Sequence, residues 1–369
     1  MNKKVIAIVS SLLIICFLFA GIGYYNHEKI EEFLEEDKWI TKSVSASVIS
    51  QDIKDSFGGT GLVTFTSDGL RFYNGDGEII DTISIQSTQV KLFGQDSYVV
   101  ALAKDTNTFY LYRDDKLLWD ETLSHKVNQI SVSSKGTICV CYSPNGYKSG
   151  VSVYDINGNN ILNTYFASTY AVDAVISSNG KYLYIAEVNT SGIKPQSYLR
   201  TIDLQASNDN EKEISYIKIA NDEIVTDISA TNLDKLFILT DCSIYCMESN
   251  LVKKIFEFNE LNTLYATITD TEYPCMVEQT VAAALSNNTV LKRYNGEVFE
   301  AVLPDIPQNL CSYKSKVAVR VGSEVYVYNQ DAKPIAKCQI NDNVIDLVFI
   351  KNGSTLALIY KNRIDLIKL

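Results

Sequence analysis

A unit of about 42 residues returns along most of this chain, and few folds are open to a chain built that way. Each unit has a short apolar strand ending in an aromatic or aliphatic residue, a polar Asn/Asp/Gly turn, and a second strand. The instances read LRFYNGDGEIIDTISI, FYLYRDDKLLWDETL, VSVYDINGNNILNTYF, LRTIDLQASNDNEKEISYIKI, SIYCMESNLVKKIFEF, LKRYNGEVFEAVL, VYVYNQDAKPIAKCQI and a truncated RIDLIKL. The last strongly apolar residues before these turns are Tyr73, Tyr112, Tyr154, Ile202, Tyr245, Tyr294, Tyr328 and Leu366, spaced by 39, 42, 48, 43, 49, 34 and 38. Short alternating strands at this period are the sequence mark of propeller blades. The 23 tyrosines, against 3 methionines and 6 prolines, also favour strands over helices.

A second hairpin family precedes these units. It includes ISVSSKGTICVCY (130–142), AVISSNGKYLYIAE (174–187), DISATNLDKLFILTD (227–241) and LVFIKNGSTLALIYK (347–361). In each, two strands flank a turn holding Gly, Asn or Asp, the residues that tolerate positive φ. Alternation of the two families gives a four-stranded blade: inner, middle, third and outer. The chain stops just after the eighth third strand, so the last blade lacks its outer strand. Residues Ser43 to Ile49 alternate and have no other partner, so they are expected to supply it and close the ring. The expected fold is all-β: an eight-bladed propeller of four-stranded antiparallel blades. Seven is the alternative if the weak first blade, Gln51 to Ile85, is irregular.

The repeats resemble those of quinoprotein-like and YVTN/WD40-like β-propellers, with SSNGKYLYIAEV and SVYDINGN the clearest stretches. The arrangement is also similar to an uncharacterised family of single-pass, membrane-anchored exported bacterial propeller proteins. The resemblance runs from about residue 40 to the end and implies fold and topology. It carries over no functional residue, and the Trp-Asp pair of true WD40 repeats is missing, Trp39 and Trp119 being the only tryptophans.

Val5 to Tyr25 form 21 residues without a charge. As a helix this is about 31 Å at roughly 1.5 Å per residue, matching a bilayer core of roughly 30 Å. Lys3 and Lys4 precede it, and the acid-rich NHEKIEEFLEEDK follows. The positive-inside rule then places residues 1–4 in the cytoplasm and the rest outside. The expected order is a signal-anchor helix at 5–25, an acidic and helical stalk at 26–39, and an extracytoplasmic propeller at 40–369. A cleaved signal peptide is the alternative, with LFAGIG as a weak cut site. Cys16 follows Ile15 in mid-helix and does not suit a lipoprotein signal. The net charge of −11 argues against nucleic acid as a partner and against the globular part lying on anionic lipid.

The search for chemistry assigns no catalytic, cofactor-binding or metal residue. Cys139 and Cys141 lie two apart on a strand and share a face, which suits packing between blades better than a soft metal site. Cys242 and Cys246 could cross-link locally, while Cys275, Cys311 and Cys338 are scattered. Omitting Cys16 leaves seven cysteines, an odd number, so no complete disulfide framework forms within one chain. The adjacent cysteines of quinone-dependent dehydrogenases are absent. NGDGE (74–78) suits a hairpin turn rather than a calcium loop. His125 stands at a blade junction without the partners of a hydrolase. Asn189, Asn287 and Asn352 open glycosylation sequons. Longer turns are expected at Ser191 to Ser197, Gln205 to Glu213, and 269–281, where propellers carry binding function.

The function expected is a non-catalytic binding or scaffolding module that recognises an envelope protein or polymer through a propeller face. The alternative is an envelope carbohydrate-active enzyme, a lyase or glycosidase, with carboxylates and tyrosines in the funnel. A third reading is ligand sensing in the funnel, coupled through the stalk.

Overall fold

The computed structural model describes residues 40–45, 56–207, 212–259, 262–281, 287–340 and 343–369. The apolar run 5–25 and the acidic stretch 26–39 lie outside the described residues, among which no helix is long and apolar enough to cross a membrane.

The strands sort into eight antiparallel sheets, one per blade. Blade one holds Leu62–Thr66, Gly69–Tyr73 and Ile79–Ile83; blade two holds Val90–Gln95, Tyr98–Ala103, Thr108–Arg113 and Lys116–Thr122. Blade three runs Lys126–Val132, Ile138–Ser143, Ser149–Tyr154 and Asn160–Phe166; blade four runs Tyr170–Ile176, Tyr182–Asn189, Gln196–Asp203 and Glu213–Asn221. Blade five comprises Val225–Ala230, Leu236–Thr240, Ser243–Glu248 and Leu251–Glu257. Blade six follows with Thr263–Thr267, Cys275–Val281, Asn287–Asn295 and Glu297–Leu303, and blade seven with Asn309–Tyr313, Lys316–Val321, Glu324–Tyr328 and Pro334–Gln339. Blade eight holds Asp346–Ile350, Thr355–Ile359 and Arg363–Lys368, and its outer strand is Ile40–Ser45 from the start of the chain. The fold is therefore an eight-bladed propeller, and every third strand sits where the repeat put it.

The closing strand needs a correction. It starts at Ile40, three residues before the expected Ser43, and pairs Ile40 with Ile367, Ser43 with Asp365 and Val44 with Ile364. Residues 46–49 of the expected segment lie outside the described residues. The strand is exposed, so Thr41 and Lys42 need no apolar alternation; instead the Thr41 hydroxyl donates to the Leu366 carbonyl at 2.9 Å and Ser43 to the Asp365 carboxylate at 2.6 Å.

The core is eight separate layers, one at each blade joint. Side chains alternate along a strand, so a middle strand feeds both neighbours. In blade three, Ile138 and Val140 pack on blade two while Cys139 and Cys141 pack on blade four. This is why the middle strands read as unbroken apolar runs. Of the eight residues that mark the repeat, all but Tyr294 are buried.

Blade one departs from the pattern. Among the described residues its inner strand is represented by Phe57, which exchanges two hydrogen bonds with Val63 of 3.1 and 3.0 Å. The next two residues are squeezed between neighbouring inner strands. A Cβ on Gly58 would stand 1.9 Å from the Phe349 carbonyl oxygen, and one on Gly59 (φ +122°) would stand 2.1 Å from that of Asp96. Only glycine fits there. The expected long turn at 269–281 is also corrected. Cys275–Val281 is the middle strand of blade six, with Cys275 and Val277 in the layer to blade seven and Met276 in the layer to blade five.

The turns joining third to outer strands and inner to middle strands share one side of the disc, and the remaining connections share the other. Because Ile40 pairs near the end of Arg363–Lys368, the chain enters on the first side, called here the near side; the opposite one is the far side.

Arg293, on the third strand of blade six, is fully buried. Its guanidinium donates to the carbonyls of Ser315 (2.7 Å), Asn329 (2.6 Å) and Tyr273 (3.0 Å), tying blade six to turns of blade seven. Removing it strands three half-buried acceptors, so Arg293→Met should lower stability by about 2 kcal/mol or more. Arg293→Lys should rescue little, since a point charge cannot replace the fork. Urea unfolding midpoints check both, and a midpoint unchanged in Arg293→Met would refute the role.

Candidate functional site

The inner strands line a central channel with two adjoining cavities of about 380 and 300 Å³. Ser56, Phe57, Leu92, Gln95, Thr269 and Asp270 border both. Carboxylates supply most of the charged lining: Asp173, Asp227 and Asp270 in the larger cavity, and Asp96, Asp270 and Asp346 in the smaller. Lys91 is the lysine among them; its ammonium sits 4.7 Å from the centre of the Phe93 ring.

These polar groups bond mostly across blade joints. Asp173 is 2% exposed; it accepts the Ala174 amide at 2.8 Å and, from blade five, the Ile228 amide at 3.1 Å. The Thr269 hydroxyl donates to Asp227 at 3.2 Å, and the Ser312 hydroxyl to the Thr269 carbonyl at 2.7 Å. Asn309 donates to the Ile345 carbonyl at 3.0 Å, and Ser56 to Asp346 at 2.8 Å. Ser131 donates to the Ala174 carbonyl. The channel wall is a belt of polar links laid inside the apolar layers.

Burial raises the Asp173 carboxyl well above the usual range, and the neighbouring Asp227 adds to this. Asp227 is raised by burial too, but the hydrogen bond from Asp173 and that from Thr269 hold it back. The pair therefore holds a proton more readily than an isolated carboxyl does. Asp270 faces channel water yet is ringed by protein; that surrounding, with the charges of Asp227 and Asp96, pushes its carboxyl up to about 7.

Chemically, the closest pair is poorly placed for sugar hydrolysis. A retaining glycosidase sets its carboxyls roughly 5–5.5 Å apart around the substrate, whereas Asp173 is almost wholly buried in the channel wall with both oxygens bound to backbone amides. No group of three or more His, Cys, Asp or Glu side chains suited to a metal ion occurs among the described residues.

The residues singled out from sequence are not brought together. Cys139 and Cys141 are buried free thiols in the layer between blades three and four, their thiols pushed up by burial. Cys246 is a buried free thiol, so the suggested cross-link to Cys242 does not form. His125 stacks on Tyr142 at 6.0 Å and 10°. NGDGE is a hairpin turn in which the Asn74 side-chain oxygen Oδ1 accepts the amides of Asp76 and Glu78, both at 2.9 Å. Sequence reading missed the channel acids. The signal was there: an Asp directly before an aliphatic residue on inner strands, Asp173-Ala174, Asp227-Ile228 and Asp346-Leu347.

A family model described as a family of unknown function, DUF5711, matches residues 36–369. The chain belongs to that family. No curated protein matches it. Among solved structures, BamB from Moraxella catarrhalis is similar at 13% identity and a TM-score of 0.49, covering 89% of this chain and 97% of its own. The Myceliophteria thermophila Cps50 (Swd1) β-propeller domain matches at 13% identity and a TM-score of 0.50, covering 89% and 99%. A chain of the mitotic checkpoint complex matches at 9% identity and a TM-score of 0.50, covering 90% and 96%. At such identities the likeness shows the propeller fold alone.

The raised acids make stability depend on pH. Each prefers its protonated form in the folded chain, relative to an ordinary value of 3.8. Their contribution is complete below about pH 4 and is lost as pH climbs through the raised values. Asp270→Asn should therefore match the parent near pH 4 and exceed it near pH 8. Urea midpoints across that range are the check, and parallel declines in parent and variant would sink the assignment.

Proposed function

We propose that this protein is a non-catalytic binding or scaffolding module. The apolar segment 5–25 holds it in the cell membrane with its N-terminus in the cytoplasm, and the propeller outside recognises an envelope protein or polymer through one face. The observation that carries the reading is how the channel acids are used. Asp173 commits both oxygens to backbone amides, one of them from blade five, so the group that looks most reactive holds two blades together. That leaves the faces of the disc for recognition. One structural neighbour is a chain of a multi-protein assembly, the mitotic checkpoint complex, which supports the same use of the fold.

Two measurements test this. Full-length protein in detergent should retain a partner from envelope extract that heat-unfolded protein does not. An epitope placed after Leu369 should be reached by antibody on intact cells; labelling only after permeabilisation would overturn the orientation. Loss of glycan turnover in an Asp227→Asn, Asp270→Asn double variant that folds normally would favour the carbohydrate-active enzyme instead.

A further inference from the structure

On the binding-module reading above, we infer that the docking surface is the far side of blade three. Its ligand is a segment of a partner protein that sets acidic side chains beside apolar ones.

Four tyrosines are exposed among the described residues: Tyr147, Tyr165, Tyr170 and Tyr216. The first three gather on the far side, at the middle-to-third turn of blade three, the end of its outer strand and the start of blade four. Tyr147 lies against Tyr165 with ring centroids 5.1 Å apart and a tilt of 32°. Tyr165 meets the buried Tyr142 edge-on at 6.4 Å, and His125 stacks beneath Tyr142. Tyr165 is thus backed by a buried ring and Tyr147 by Tyr165, so a ligand loses little side-chain freedom in meeting them. On the equivalent turn of blade four, Ile193 stands wholly exposed, its loop pinned by a 2.6 Å ion pair between Lys194 and Asp222.

Charge selects the partner. In a chain of net charge −11, the stretches 123–126, 143–148 and 167–170 contain His125, Lys126 and Lys148 and no Asp or Glu. Neither lysine has a carboxylate partner among the described residues; Lys148 instead lies 5.1 Å over the Tyr170 ring. An acid-free basic island on an acidic protein attracts negative charge.

Ring geometry favours a protein over a glycan. A sugar stacks on an open flat ring face, but Tyr147 and Tyr165 each turn one face toward the other and Lys148 sits over one face of Tyr170. Edges, hydroxyls and the Ile193 side chain remain, which suit a protein partner; tyrosine is enriched at such interfaces. The chain enters on the opposite side at Ile40, so an anchored protein would turn this surface away from the membrane.

A displayed library of short random peptides, panned on full-length protein in detergent, tests the inference. Enriched peptides should combine Asp or Glu with apolar residues. They should bind Tyr147→Ser and Lys148→Glu about tenfold more weakly, with both variants keeping the parent's unfolding midpoint. Leu251→Ser, at an exposed site on the outer strand of blade five, should bind normally. Equal binding to all variants overturns this surface while leaving the binding-module reading standing. Capture of neutral glycans in place of peptides, lost in Tyr147→Ser, overturns the protein chemistry. Retention of neither class by the parent overturns both.

Discussion

Everything in this molecule depends on one antiparallel pairing, that of Ile40–Ser45 with Arg363–Lys368. A propeller has no central core to fall back on. Each blade is a thin sheet that buries its two faces only because neighbours stand on both sides, and eight apolar layers exist only while the circle is shut. The closing strand adds little apolar area of its own. Its work is done by backbone hydrogen bonds and by Ser43 and Thr41, which give the last blade a covered edge.

Inside that circle two kinds of cohesion run in parallel. Between blades the contacts are apolar and undirected, and would allow some sliding. At the channel they are directional: an amide to a carboxylate, a hydroxyl to a carbonyl, at one joint after another. Asp173 is the most deeply buried of these, reaching into blade five for the Ile228 amide. Such links set the angle between blades where apolar packing alone would not, while crowding acids around a narrow passage. Arg293 does the same toward the near side with carbonyls for partners.

The fold was largely legible in sequence because its determinants are local and repeated. A turn every 40 residues or so, each preceded by a large apolar residue, describes a blade without reference to any other. What was not legible depends on neighbours. Phe57 and the two glycines after it make sense only beside Phe349 and Asp96. Cys275–Val281 looked like a loop because Glu278 and Gln279 mask the alternation of Cys275, Met276 and Val277 between two layers. The channel acids needed the ring itself, since nothing in Asp173 or Asp227 alone says they face each other. The tyrosines divide the same way. Those at repeat positions announced packing, whereas Tyr147 and Tyr165 show their exposure only once blade three is folded.

The thiols of Cys139, Cys141, Cys246 and Cys275 lie in these layers, buried and protonated. While the ring is shut, an oxidising compartment has no route to them. Once it opens, several thiols meet oxidant together, and the mispaired disulfides that follow would block reclosure. Under oxidising conditions the lifetime of this protein is then governed by how often the circle opens and for how long. Its equilibrium stability in a reducing tube would say little about that.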